Sequence, residues 1–432
     1  MTIRLTVLLL FFSATSLLLP QSGKSAFVIR DVRVFDGDSV LERQTVVIAD
    51  GKIAAVGNSD VRVPQGTEEI PGEGHTLLPG LIDSHVHVHV LRQVEALQQA
   101  LAFGVTTVLD MWTGPPPRAF TGKPALSRLK EIDASDPPDM AAVHTAGTGA
   151  TAPGGHPTQM DGGIAALVIP TLSRPEQAGA FVDARLSEGS DFIKIIYDDT
   201  KETFGLNLPT LNEETIAAIV AAAHTHGRIA VAHISTEQQA RGAVSAGVDG
   251  LAHIFTGPSV SADFSQFVAR RGAFVIPTLS ILYFLCGMSD GPAILADADA
   301  VENIRQEFRA PLSMSIRSSK LSCDGATEAI RQLAAAGAPI LAGTDAPGPG
   351  TTYGASLHRE LEHLVKAGMT PVAALAAATS VPARSFQMND RGRIKPGMRA
   401  DLLLVKGDPT KQIQDTRNIV AIWKRGIPVV RK

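Results

Sequence analysis

The chain has 432 residues, 44% hydrophobic, 19% charged and 5% aromatic, with 39 Gly, 27 Pro and only 2 Cys. That is the composition of a packed globular chain, and it excludes a disordered, collagenous or disulfide-scaffold protein. A formal net charge of −4 leaves no strong positive field to hold a nucleic-acid backbone or an anionic lipid surface.

In chain order, an apolar run from Leu5 to Leu19 follows Arg4 and gives way at once to Pro20, Ser22, Gly23 and Ser25. This pattern predicts a signal peptide over residues 1–26 and therefore a periplasmic or secreted protein; the run is too short to anchor the chain stably in a membrane. From Phe27 to Leu78 short alternating runs separated by turns, Asp50-Gly51 among them, predict strands. Residues 401–405 and 418–423 have the same character. Neither end holds enough apolar residues for a core of its own, so 27–78 and 386–432 are expected to pair into one small β-sandwich.

Between them, residues 79–385 alternate short apolar runs with amphipathic stretches. Eight candidate strands end near His87, Met111, His144, Ile196, His233, His253, Thr278 and Asp345. The expected fold class is therefore α/β: a (β/α)8 TIM-like barrel with a small β-sandwich built from both chain ends. Cys286 and Cys323 lack Cys-x-x-Cys spacing and read as structural, free or paired.

Polar residues fall where this fold keeps its chemistry. His85 and His87 close the first strand, Lys194 lies in the fourth, and His233, His253 and Asp345 close the fifth, sixth and eighth. Residues two apart on a strand share a face, so His85 and His87 are both able to point into the mouth of the strand ring. His89 shares their parity but should lie beyond the strand end. A single strand-end histidine is commonly a satisfied polar residue; six such groups at matching strand ends are hard to explain by packing. Imidazole nitrogens and carboxylate oxygens are the ligand types that suit Zn²⁺. His156, in a Gly-rich loop, is a candidate for polarising a substrate carbonyl or binding its carboxylate, and Tyr197 a candidate for a substrate-binding hydroxyl. His358 is a candidate supporting residue. Gly147-Thr-Gly149 is followed by Pro153-Gly154-Gly155 instead of a helix, which removes a dinucleotide reading.

Pro79-Gly-Leu-Ile-Asp-Ser-His-Val-His87 resembles the opening motif of the amidohydrolase superfamily, and the likeness extends over nearly the whole chain after residue 26. Lys194, His233, His253 and Asp345 match that superfamily's fourth-, fifth-, sixth- and eighth-strand ligands. Leu357-His-Arg-Glu-Leu361 and Pro153-Gly-Gly-His156 further resemble the branch of imidazolonepropionase-like proteins and metal-dependent Xaa-Pro dipeptidases. The resemblance implies two divalent metal ions, zinc first among them, and a CO2-derived carbamate on Lys194 acting as a bridging ligand. It implies hydrolysis of amide or peptide-like C–N bonds in small substrates such as N-acyl amino acids or dipeptides, by a metal-bridged hydroxide with Asp345 as proton shuttle. The dipeptidases tend to carry Tyr two residues after the fifth-strand His, where this chain has Ser235. A mononuclear deaminase or a cyclic amidase of the same superfamily is the alternative enzyme; deaminases typically carry Glu three residues after the fifth-strand His, where this chain has Thr236, with Glu237 one further on. The alternative from another class is a catalytically silent binding barrel. A small-molecule partner is expected, and the sequence is compatible with a homo-oligomer.

Overall fold

The computed structural model describes residues 26–88, 91–114, 124–159, 169–316 and 320–431. The apolar leader, His89 and most of the loop at 113–123 lie outside the described residues.

The two chain ends meet in one sheet. Strands β1 (Phe27–Phe35), β2 (Val40–Ala49), β3 (Lys52–Gly57), β4 (Glu68–Pro71) and β5 (His75–Pro79) come from the front of the chain. Seven further strands, β6 to β12, lie between these and the late strands β13 (Leu402–Lys406), β14 (Ile419–Lys424) and β15 (Ile427–Pro428). The sheet order is β15-β14-β13-β5-β1-β2-β3, with β4 paired to β1. The join is the antiparallel pairing of β13 with β5, Leu403 opposite Leu78. Hydrogen bonding runs through all eight strands as a single sheet. Its far edge curls back: Lys52 of β3 bridges Arg399, and Ile53 exchanges backbone hydrogen bonds with residues 397 and 398, just ahead of β13. Register shifts between β1 and β2 supply local bends of the kind that let a sheet curve. The alternating side chains Ile29, Val34, Val46, Ile48, Leu77, Leu402 and Leu404 then share one buried cluster with Trp423, which stacks on Phe27 at 5.2 Å.

The middle of the chain is parallel α/β. Strands β6 (Leu81–Val86), β7 (Val105–Asp110) and β8 (Ala142–Thr145) form one sheet, and β9 (Ile193–Ile196), β10 (Ala230–His233), β11 (Gly250–Ala252) and β12 (Phe274–Ile276) form another. All of these pairings are parallel. Their residues are almost continuously buried, as expected when helices cover a parallel sheet. Single parallel bridges link the sheets: Ala150 to Ile195, Val275 to Ile340, and Val86 to Ala346. The expected eighth strand is thus a short extended passage, residues 339–346, held between β12 and β6 by Leu341 N to Val275 O and Ser84 N to Ala342 O, each 2.9 Å. Cys286 and Cys323 form a disulfide. No helix among the described residues is long and apolar enough to cross a membrane.

Candidate active site

The C-terminal ends of these parallel strands open into a cavity of about 520 Å³. Its base is polar: His87, His156, Lys194, His233, His253 and Asp345 all line it, with His85 fully buried beneath. The imidazoles form a chain of neighbours, with ring centroids 5.3 Å apart from His87 to His85, 4.6 Å from His85 to His253, 4.5 Å from His253 to His233 and 5.4 Å from His233 to His156.

Asp345 faces the first pair. Its Oδ1 lies 3.2 Å from His85 Nε2 and 2.9 Å from His87 Nε2. Ligand atoms of these three residues all fall within 4.8 Å of one another, a spacing that suits a shared cation. Lys194 Nζ and His85 Nδ1 are buried without a hydrogen-bond partner, and His85 Nε2 and Asp345 Oδ1, also buried, face each other without a regular hydrogen bond. Buried polar atoms are rarely left in this state, and the set fits a metal centre that would engage His85 Nε2, Asp345 Oδ1 and the Lys194 side chain. His253 and Asp345 also hold left-handed backbone angles, φ 72° and φ 60°, a strain that non-glycine residues adopt chiefly at functional sites.

The electrostatics favour ligand forms. Burial, then the nearby Lys194 charge, pushes His85 down to about 3; burial and the His233 and His85 rings hold His253 well below the ordinary imidazole value. Burial and His233 bring His156 down to about 4. Neutral imidazole is the form that donates a lone pair to a metal. Lys194 is pushed by burial to about 7 against the pull of Asp345 and Asp110. Its ammonium does not pair with Asp198 or Asp199, the acids nearest in sequence. Asp198 instead takes His233 Nε2 at 3.1 Å and the Ser235 hydroxyl, and these outweigh burial to keep its carboxyl well below the usual range.

Tyr197 is a correction. Lys194 and Ile196 share the inward face of β9, whereas Tyr197 has the opposite parity and packs into the helix layer against Gly242, near Glu213. Its ring is not part of the cavity. His358 is another: its Nε2 reaches the carbonyl of Phe103 at 3.0 Å, away from the cluster. Glu237, the acid nearest the deaminase position, is held by Arg241 at 2.8 Å and accepts Ser261 N at 2.9 Å.

Sequence reasoning missed the supports. Asp83, on the same face of β6 as His85, accepts the His85 and Thr344 amides at 3.2 and 3.1 Å and the Thr344 hydroxyl at 2.7 Å, tying β6 to the Asp345 segment. Its parity with His85 was a usable signal. Asp110 accepts Val88 N at 2.8 Å and the Thr145 hydroxyl at 2.6 Å, fixing the backbone just past His87. Thr278 Oγ1 lies 2.7 Å from His253 Nδ1, leaving Nε2 free to ligate. No local sequence signal marks that contact.

The amidohydrolase family profile matches residues 76–430. Solved structures with similar folds include a Xaa-Pro dipeptidase with bound methionine, 23% identical with a TM-score of 0.72 over 94% of this chain and 100% of that one. A molinate hydrolase is 21% identical with a TM-score of 0.73, covering 94% of each chain. Ochratoxinase of A. niger is 20% identical with a TM-score of 0.71, over 94% of this chain and 95% of that one. At these identities the likeness concerns the fold. An uncharacterized protein of Mycobacterium tuberculosis is 26% identical over 350 residues, 79% of this chain and 84% of that protein. With the profile spanning most of its length, the chain belongs to the amidohydrolase family and is a hydrolase acting on carbon–nitrogen bonds.

Proposed function

We propose that the protein is a binuclear metal-dependent hydrolase of amide bonds in small molecules, its strands closed as a (β/α)8 barrel over residues 79–385. The observation that carries this reading is the convergence of His85, His87, Lys194, His233, His253 and Asp345 on one cavity base, with the Lys194 nitrogen buried there and unpartnered. In this reading His85, His87 and Asp345 would hold one cation and His233 and His253 the other, with Lys194, as a carbamate, supplying a further anionic oxygen donor. The neutral amine of Lys194 would bond to the carbon of CO2 with loss of one nitrogen proton to solvent, placing an anionic donor where an ammonium would repel a metal. Zinc, when bound, would lower the pKa of water towards neutrality and polarise the substrate carbonyl.

The chain's own groups then manage position and protons. His156, at the cavity wall with Nδ1 2.7 Å from the Gln159 amide, donates from its other ring nitrogen to the carbonyl oxygen. Asp345 accepts the proton of the attacking water and returns it to the nitrogen as the C–N bond breaks, so acid and amine are released with no net proton left on the enzyme. Asp198 orients His233, and Thr278 orients His253. The curled sheet of both chain ends, 27–78 with 386–432, serves as a separate small unit, and residues 1–26 direct the protein to the periplasm or outside.

The test is metal analysis with turnover. The purified protein should carry about two zinc equivalents, lose turnover of amide substrates on chelation and regain it with Zn²⁺ and bicarbonate; 13C-bicarbonate should give a carbamate carbon signal absent in Lys194→Ala. Full turnover by metal-free protein would refute the proposal. Protein that takes up no metal even with bicarbonate would favour a silent binding barrel.

A further inference from the structure

Above its polar base the cavity is apolar, and one short element forms part of that wall. Ile281, Leu282 and Leu285 of the Leu279–Leu285 helix line it, together with Met111, Trp112 and Phe204. Phe204 is 59% exposed, an aromatic ring left in water at a cavity wall. The helix is held from both directions. At its start, Leu279 N, Ser280 N and Ser280 Oγ donate to the Glu360 carboxylate at 2.8, 2.7 and 2.9 Å. Within its second half Tyr283 Oη meets Thr327 Oγ1 at 3.0 Å, and just past its end Cys286 is bonded to Cys323. A wall fixed at both ends keeps its shape when a ligand arrives, so it selects by fit instead of adapting.

Such a surface rewards apolar groups and penalises charged ones. A carboxylate pressed against Ile281, Leu282 and Leu285 would lose its hydration without gaining a donor. Among the described residues lining the cavity, the one cationic side chain is Lys194 at its base, which the hydrolytic reading already commits. Ser235, standing where the dipeptidase branch tends to carry Tyr, spends its hydroxyl on Asp198.

We propose that the Leu279–Leu285 helix is the specificity wall of the site and takes an uncharged apolar group, aliphatic or aromatic, of the amide substrate. The site therefore prefers neutral amides to N-acyl amino acids or dipeptides bearing a free carboxylate against that wall. This rests on the hydrolytic reading above and narrows its substrate class.

The experiment uses probes that need no known substrate. Alkanoyl hydroxamic acids, from acetyl to octanoyl, are titrated by calorimetry into zinc-loaded protein, with an eight-carbon member ending in a carboxylate as the charged control. Each methylene entering the wall should tighten Kd by about three- to fourfold until the cavity is filled. The terminal carboxylate should weaken binding by about tenfold or more relative to octanoyl. In Leu285→Asp, and to a smaller extent in Leu285→Ala, the octanoyl-to-acetyl affinity ratio should collapse by about tenfold and about threefold respectively. A Kd that does not change with chain length, a carboxylate-ended member that binds more tightly, or an unchanged ratio in both variants would overturn the inference while leaving the metal site intact. Failure of every hydroxamate, the acetyl member included, would strike the metal reading itself and this inference with it.

Discussion

Glu360 offers a quantitative check on how the site is held. Thr278 precedes the Leu279–Leu285 helix in a left-handed conformation, φ 51°, and its hydroxyl is engaged by His253, so it does not cap the helix. Glu360, fully buried on the Ala355–Lys366 helix, supplies the missing acceptors from across the fold. Glu360→Ala leaves two backbone amides and the Ser280 hydroxyl without them, at about 1 kcal/mol or more each, so a loss of about 3–5 kcal/mol is expected. Glu360→Gln keeps the volume and one acceptor oxygen and should cost about 1–2 kcal/mol near neutral pH. The pH dependence sharpens this. Burial pushes Glu360 up to about 7 from an ordinary 4.5, against the hydrogen bonds from residues 279 and 280 and the nearby His363. A carboxyl raised in the folded state binds its proton more tightly there than in the unfolded chain. Its contribution is therefore complete below about pH 4.5 and is lost as pH rises through about 7, on the order of 3 kcal/mol in all. Glu360→Gln does not titrate, so the stability gap between native protein and this variant should narrow from pH 5 to pH 8. Urea unfolding at a series of pH values reads the gap. Zinc titration of Glu360→Ala should in parallel show about tenfold weaker binding at the His253 site, because Thr278 loses the fixed helix behind it. A Glu360→Ala protein with native midpoint and native zinc affinity, or a pH-independent gap for Glu360→Gln, would refute this reasoning.

Two further outcomes test the frame around the site. Asp136 joins the curled sheet to the parallel layer: it meets Lys424 Nζ at 2.8 Å, Arg425 at 2.9 Å and Arg399 at 3.2 Å, and the Lys424 side chain is wholly buried. Asp136→Asn removes the counter-charge of that ammonium, leaving it the carbonyls of Pro137 and Met140, and should cost about 3 kcal/mol by urea unfolding at pH 7; a change under about 1 kcal/mol would show the cluster is dispensable. Burial opposes the charge on both partners, lowering Lys424 as well, but Lys424 and Arg399 together hold Asp136 at about 2. With two arginines also serving it, Asp136 sets the pH window: its stabilisation is present above about pH 4 and lost as pH falls through about 2. The Cys286–Cys323 disulfide closes a separation of 37 residues. Cys286→Ser with Cys323→Ser should lower stability by about 3–4 kcal/mol, and an unchanged urea midpoint would place the bond outside the folding energetics.

How much of this was legible depends on the range of the interaction. Strand periodicity alone put His85 and His87 on one face, and strand-by-strand reading placed Lys194, His233, His253 and Asp345 at matching ends; the cavity base contains all of these or lies directly on them. The same parity argument, applied to Asp83 and against Tyr197, would have found the first and set aside the second. The meeting of the chain ends was legible because neither was apolar enough to stand alone, but their union as one sheet depended on the pairing of β13 with β5, and its curl on the contact of β3 with the approach to β13, which no local pattern encodes.

The partners these supporting groups close on were beyond reach for a different reason. Asp198 and His233 are 35 residues apart, Glu360 and Ser280 are 80, and Asp83 and Thr344 are 261. Side-chain alternation is a property of a few consecutive dihedral angles and is written in the local sequence. Which carboxylate closes on which helix end or imidazole is decided by the distances left once the whole chain has packed, and for that reason only the tertiary structure specified the groups that hold the site in place.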